Sequence, residues 1–132
     1  MMRVAAVVLD AVVAHAREAA PAECCGLLVG HSGEIVDALP TRNIAGNPLR
    51  FVIDPRDHID GRREARRRGL EVVGFYHSHP HSPAEPSETD VAEATYPDHV
   101  YLIVSLAADP PQVALFRLDQ AALVPVAITR SD

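Results

Sequence analysis

The chain has 132 residues, a net charge of −6, three phenylalanines, three tyrosines and no tryptophan. Its length suits one domain, residues 1–132, that buries a core without help from a disulfide or a structural metal. An acidic chain with few aromatic rings argues against a nucleic-acid binder, because phosphates require basic surfaces and bases stack on aromatic side chains. All twelve basic residues are arginines, so chemistry that needs a lysine, such as Schiff-base catalysis, is excluded.

The N-terminal segment predicts a strand followed by a helix. The β-branched run from Arg3 to Leu9 favours a strand, and Asp10 then caps a helix that ends before Pro21. The segment shares some features with a secretory signal, but Asp10 interrupts its apolar run. No run is long enough to cross a membrane, and we expect a cytoplasmic protein.

Two adjacent cysteines open an apolar strand. The Cα atoms of Cys24 and Cys25 lie about 3.8 Å apart across one peptide bond, less than the usual disulfide spacing of about 4.4–6.8 Å. We therefore expect two reduced thiols in the core, neither nucleophile nor metal ligand, which also suits the cytoplasm. The strand "CCGLLVG" (24–30), the turn "HSG" and the alternating run "EIVDAL" (34–39) predict a hairpin.

The middle of the chain predicts another strand and an arginine-rich helix. "LRFVI" (49–53) favours a strand, Asp54-Pro55 is a helix start, and Gly69 is placed to end that helix. Six arginines lie between Arg56 and Arg68. We expect a solvated helix face partly balanced by acidic neighbours; the alternative is a docking patch for an acidic partner.

The C-terminal half predicts four strands and a short helix. The strands are 71–79, 100–106, 112–118 and 123–128, and the helix runs from Ser87 to about Ala94. Pro125 makes the last strand an edge strand, which leaves room for a homodimer. We therefore predict a single-domain α/β fold with a mixed central β-sheet flanked by helices.

The stretch "FYHSHPHSPAEPSETD" (75–90) predicts a metal site. His77 and His79 alternate at a strand end and so face the same side, and Asp90 follows a loop that contains two prolines. Two imidazoles and one carboxylate leave a fourth tetrahedral position open, which is typical of a catalytic zinc site with one Zn²⁺ per chain. A simpler interpretation is that Ser87 and Asp90 form a capping box and that the histidines are hydrogen-bonded surface residues.

His81 extends the pattern to H-x-H-x-H, which also occurs in multinuclear metal phosphoesterases. Those enzymes need further ligands from distant strands and a much longer chain. We expect His81 to be a loop or rim residue.

These residues carry a resemblance to a known family. "HSHP" followed by "PSETD" is similar to the signature of the JAMM (MPN-plus) metalloproteases, with His77, His79 and Asp90 as zinc ligands and Ser87 three residues before the aspartate. The segment "PAECCGLLVG" resembles the part of that family that carries a glutamate, here Glu23. The resemblance implies a three-layer sandwich similar to cytidine deaminase. Short bacterial members resemble peptidases that act on ubiquitin-like sulfur-carrier proteins, which implies such a protein as partner.

Zinc-dependent hydrolysis needs a general acid/base beside the metal. Zinc lowers the pKa of bound water to about 7, and a carboxylate must take up the proton and pass it to the leaving amine. The residues alone leave five candidates open: Glu23, Glu34, Glu71, Glu85 and Glu88. The resemblance selects Glu23 and implies that Ser87 donates a hydrogen bond to the oxyanion. The alternative function is a non-catalytic MPN-type interaction module, although such members of the family usually lack the zinc ligands.

Overall fold

The computed structural model describes residues 1–132. The chain forms eight strands and three helices. In chain order these are β1 (Met2–Ala5), α1 (Ala6–Ala19), β2 (Cys25–His31), β3 (Glu34–Thr41), α2 (Pro55–Arg67), β4 (Glu71–His79), α3 (Glu88–Glu93), β5 (Val100–Ser105), β6 (Gln112–Asp119), β7 (Ala122–Val126) and β8 (Ile128–Ser131).

All eight strands belong to one mixed sheet in the order β7-β6-β5-β4-β2-β3-β1-β8. The predicted hairpin is the antiparallel pair β2–β3, and β4 runs parallel to β5 but antiparallel to β2. β4 therefore lies in the middle of the sheet, where both of its faces are covered. Its carboxyl end carries the two histidines of the predicted metal site.

The helices cover opposite faces of this sheet. Leu28 packs in a core with Val12 of α1, whereas its neighbour Leu27 packs in a second core with Ala65 of α2. Because adjacent strand residues point to opposite faces, the two helices form the outer layers of a three-layer arrangement. The predicted fold class, a mixed sheet flanked by helices, is confirmed.

The first helix begins earlier than predicted. α1 starts at Ala6 and not at Asp10, and the preceding strand ends at Ala5 and does not reach Leu9. Val8 and Val12 are both fully buried and are one helical turn apart, so packing against the sheet favours the helix over the local β-propensity. Val7, which points away from the sheet, is 64% exposed.

The predicted strand at 49–53 is wrong. This segment is a loop with only one isolated bridge, between Asn43 and Ile53. β3 already has a partner on each side, β2 and β1, so no free sheet edge is available there. The loop instead lies over the carboxyl end of β4, where Phe51 stacks on His77 with ring centroids 4.3 Å apart.

The C-terminal part divides into two strands on opposite edges. β7, which contains Pro125, pairs only with β6 and is the predicted edge strand. The chain then forms β8, which pairs in parallel with β1 at the other edge and was not predicted. Gly69 ends the second helix with a φ of +73°, as predicted. No helix in this structure has the length and apolar character needed to span a membrane.

Candidate metal centre

The end of β4 places His77 and His79 side by side on the α2 face of the sheet. Both are almost fully buried, at 4% and 5% exposure. The intervening Ser78 points to the opposite face and is completely buried. The alternation of a regular strand thus brings the two imidazoles together, as the sequence predicts.

Asp90 of α3 completes a cluster of three possible ligands. The Nε2 atoms of His77 and His79 are 3.1 Å apart, and they lie 3.2 and 3.1 Å from the two carboxylate oxygens of Asp90. Zinc–nitrogen bonds of about 2.0–2.1 Å place neighbouring tetrahedral ligands about 3.3 Å apart. The three side chains therefore fit one zinc ion without rearrangement.

The protonation states suit a cation. Nδ1 of His79 must donate to the carbonyl of Pro83, at 2.8 Å, so its Nε2 faces the cluster. Burial lowers the pKa of His77, which favours the neutral imidazole that binds metals. Burial alone raises the pKa of Asp90, but hydrogen bonds from His77 and His79 outweigh it and hold that pKa well below its ordinary value. Burial lowers the pKa of His79, but its hydrogen bonds with Asp90 and Pro83 outweigh burial and raise that pKa above its ordinary value. A cation held by the three side chains would take the place of the proton between His79 and Asp90.

Ser87 and Asp90 form the capping box at the start of α3. The hydroxyl of Ser87 accepts the Asp90 N–H at 3.0 Å, and the Asp90 carboxylate accepts the Ser87 N–H at 2.9 Å. The simpler interpretation is therefore correct for the capping box, but it is wrong for His77 and His79, which are buried and are not surface residues. The capping box is compatible with a metal site, because the capping hydroxyl still has its own proton to donate and lines the cleft beside His79.

Glu23 lies in the same cleft. The cleft has a volume of about 360 Å³, and Glu23, His79, Ser87 and Asp90 all line it. Burial raises the pKa of Glu23 to about 7, with smaller effects from His79, which lowers it, and from Asp90 and Glu93, which raise it. A carboxylate with a pKa near 7 can both accept and release a proton at neutral pH.

The rim of the cleft is formed by two elements that an ion pair joins. Arg50 of the loop contacts Glu93 of α3 at 2.6 Å, and both residues line the cleft. His81 is exposed and also lines the cleft, outside the cluster of three ligands. The expectation that it is a rim residue agrees with this position.

Neither the two cysteines nor the arginines between Arg56 and Arg68 line the cleft. Both cysteines are free and buried, and burial raises the pKa of Cys24 to about 11, so it is a poor nucleophile. In the arginine-rich helix, Arg67 pairs with Glu64, and Arg68 pairs with Asp37 of β3. Arg56, Arg63 and Arg66 are exposed and make no ion pair.

Three residues of the centre were not identified from the sequence. Phe51 stacks on His77, Ser78 supports the segment before β2, and Asn43 holds the loop beside Glu23. Ser78 lies inside the H-x-H motif, so its position between the two histidines could have identified it. Asn43 and Phe51 act through a loop whose path local patterns do not predict.

Comparison with known proteins identifies the family of the chain. Residues 5–119 match the model of a family described as prokaryotic homologs of the JAB domain. The chain belongs to this family. It is 41% identical to the desampylase of Haloferax volcanii over 103 residues. The aligned region covers 73% of the chain and 74% of that protein. It is 36% identical over 99 residues to the CysO-cysteine peptidase of Mycobacterium tuberculosis, covering 74% and 68% respectively.

A solved structure from the same fold family confirms the architecture. A JAB1/MPN domain protein from Archaeoglobus fulgidus superposes with a TM-score of 0.68 and 21% identity, over 99% of this chain and all of that one. The predicted JAMM/MPN family and fold are therefore confirmed. The prediction of an enzyme of the peptidase class is confirmed by the family and its named relatives.

Proposed function

We propose that the chain is a zinc-dependent peptidase or isopeptidase that hydrolyses the bond after the C-terminal Gly-Gly of a ubiquitin-like or sulfur-carrier protein. The observation that carries this proposal is the convergence of three ligand atoms within one buried cluster, beside a cleft that also contains Glu23 and Ser87. His77, His79 and Asp90 would hold the zinc. The two reduced thiols suit a protein that works in the cytoplasm.

Zinc supplies a Lewis acid that lowers the pKa of water and polarises a carbonyl group. Glu23 takes the proton from the attacking water and then delivers it to the leaving nitrogen; burial, which raises the pKa of this carboxyl group, favours the uptake of the proton. The hydroxyl of Ser87 donates to the carbonyl oxygen as negative charge develops on it. The capping bond that Ser87 accepts from Asp90 holds the hydroxyl in place for this donation.

The proposed substrate class rests on the shape of the cleft and on the relatives. The ion pair of Arg50 with Glu93 joins the two walls, so residues without side chains, such as a Gly-Gly tail, enter most easily. The names of the relatives, a desampylase and a CysO-cysteine peptidase, support a carrier protein as substrate. The bond is then the one between the last glycine and an amino acid or protein.

The direct test uses a carrier protein extended beyond its C-terminal Gly-Gly. We expect the zinc-loaded protein to cleave after the second glycine, as detected by intact-mass spectrometry. A matched substrate with Ala-Ala in place of Gly-Gly should resist cleavage, because its methyl groups must pass the ion pair of Arg50 with Glu93. Equal cleavage of both would contradict the proposed specificity, and cleavage of neither would favour a non-catalytic interaction module.

A further inference from the structure

Glu23 lies between α1 and β2, outside any regular element. No helix or strand ladder therefore fixes its backbone, and the direction of its side chain depends on other contacts. Its N–H donates to the carbonyl of Pro48 at 2.9 Å, and its carbonyl accepts from Nδ2 of Asn43 at 3.0 Å. Both backbone groups of Glu23 are thus held by the loop that follows β3.

Asn43 organises this loop through all of its hydrogen-bonding groups. Its Nδ2 donates to the carbonyls of Glu23 and Arg50, at 3.0 and 2.9 Å. Its Oδ1 accepts the N–H groups of Ala45 and Val52, both at 3.0 Å. An asparagine amide offers two donors and one acceptor with two lone pairs, so every site is used. One side chain closes the loop on itself and joins it to Glu23.

The same loop also reaches the other parts of the centre. Phe51 stacks on His77, and Arg50 pairs with Glu93 of α3. A change at Asn43 therefore releases the support of Glu23, while the three ligand side chains come from β4 and α3. The second support of this segment is independent, because Ser78 binds the backbone of Cys24 and not that of Glu23.

We propose that Asn43 is the positioning residue for Glu23 in the reaction, a role that rests on the proposed function of Glu23 as general acid/base. The bond that it donates to the Glu23 carbonyl holds the backbone from which the Glu23 carboxylate extends. The other three bonds, one donated to Arg50 and two accepted, set the path of the loop. Misplacement of a reacting group by about 1 Å costs up to about 100-fold in rate. Asn43 does not line the cleft, and it acts through the backbone of Glu23 and through the loop that carries Arg50.

The decisive variant is Asn43→Asp, which has the same shape and keeps the two accepted bonds. It replaces the donor by an oxygen that faces two carbonyls, and so removes the bonds to Glu23 and to Arg50. We expect kcat to fall about 10- to 100-fold with KM nearly unchanged and zinc content retained. Asn43→Ala, which adds no charge, should show the same pattern if the aspartate variant folds poorly. The matched control is Asn47→Ala, which removes a bond to Leu49 within the same loop only.

A second measurement does not depend on activity. In zinc-free protein, the Glu23 N–H donates to Pro48 of the loop that Asn43 closes. It should therefore exchange with solvent about tenfold faster in Asn43→Asp than in the wild type, while amides of β4 stay unchanged. Wild-type kcat together with wild-type exchange at Glu23 would overturn the inference, as would an equal loss in Asn47→Ala. If the wild type itself neither binds zinc nor cleaves a carrier, the proposed function fails, and the exchange measurement still decides whether Asn43 holds Glu23.

Discussion

Cys24, directly before β2, and Ser78 of β4 exchange two hydrogen bonds. The hydroxyl of Ser78 accepts the Cys24 N–H at 2.8 Å, and the Ser78 N–H donates to the Cys24 carbonyl at 3.1 Å. Ser78 lies between His77 and His79, and Cys24 follows Glu23. Ser78 therefore connects the backbone next to Glu23 with β4, the strand that carries both histidines.

Replacing Ser78 by alanine should weaken both stability and catalysis. The Cys24 N–H would lose its partner in a buried position, which costs about 1–3 kcal/mol in the free energy of unfolding. Chemical denaturation measures this loss, and zinc analysis should show that the metal remains. Ser32→Ala, in the exposed turn between β2 and β3, is the control and should change neither quantity. An unchanged stability for Ser78→Ala would show that the Cys24–Ser78 bond does not matter.

Glu23→Gln should abolish turnover and leave zinc bound. The amide cannot take up a proton, and the loss of general acid/base catalysis costs about 10²–10⁴ in rate. The measurement is kcat for cleavage of an extended carrier, with zinc content determined on the same sample. Glu18→Gln, on the exposed side of α1, is the matched control and should behave as wild type. Full activity of Glu23→Gln would assign the proton transfer to another residue.

Ser87 should contribute to catalysis and to helix capping separately. Ser87→Ala removes the hydroxyl, and we expect a loss of about 10²–10³ in kcat, as for one oxyanion donor. The lost cap lowers stability by about 1 kcal/mol. Ser87→Thr retains a hydroxyl at the N-cap and should keep most of both properties. If Ser87→Ala loses stability but no activity, Ser87 is a capping residue only.

The stability of the zinc-free protein should depend on pH through Glu23. Burial raises the folded-state pKa of Glu23 from an ordinary 4.5 to about 7. A raised pKa in the folded state means that the folded protein binds this proton more tightly than the unfolded chain does. This tighter proton binding adds to the free energy of unfolding. Its contribution is fully present below pH 4.5 and is lost as pH rises through about 7.

The check is the difference in melting temperature between wild type and Glu23→Gln across this range. The glutamine variant lacks the titrating group, so it should gain stability relative to the wild type as pH rises from 4.5 to 7. The histidines titrate in both proteins, and only the part of the His79 titration that depends on Glu23 differs between them. A difference that does not vary with pH would mean that Glu23 has an ordinary pKa.

The thiols should not be needed for activity. Both are buried, and burial raises the pKa values of Cys24 and Cys25, so little thiolate forms at neutral pH. We expect alkylation of the native protein with iodoacetamide to be slow and to leave activity intact. Rapid inactivation that follows modification of either cysteine would contradict the assignment of Glu23 and the metal as the reactive groups.

The sequence predicted the parts of this fold that depend on local pattern. The hairpin, the Asp54-Pro55 helix start, the end at Gly69 and the strand that carries His77 and His79 all follow from short-range signals. The errors at Ala6–Leu9 and 49–53 arose where tertiary packing decided between helix, strand and loop. Local secondary-structure propensity depends on nearby residues only, so it contains no information on whether a sheet edge is free.

In the candidate site, too, some residues follow from local spacing in the sequence and others depend on the tertiary structure. One stretch of sixteen residues contains His77, His79, Ser87 and Asp90. Their spacing in the sequence was therefore enough to predict that they lie close together. Glu23 is distant in sequence and was selected through the family resemblance, not through its own neighbours. Its supports depend on the path of a loop, which no periodic pattern encodes.

The metal content of the purified protein tests the central claim most directly. We predict about one zinc per chain, lost in His77→Ala and retained in His81→Ala, because only His77 belongs to the buried three-ligand cluster. Elemental analysis of the three proteins, after dialysis against zinc and removal of excess metal, gives these values. No bound zinc in the wild type, or a second metal that depends on His81, would contradict a mononuclear zinc centre.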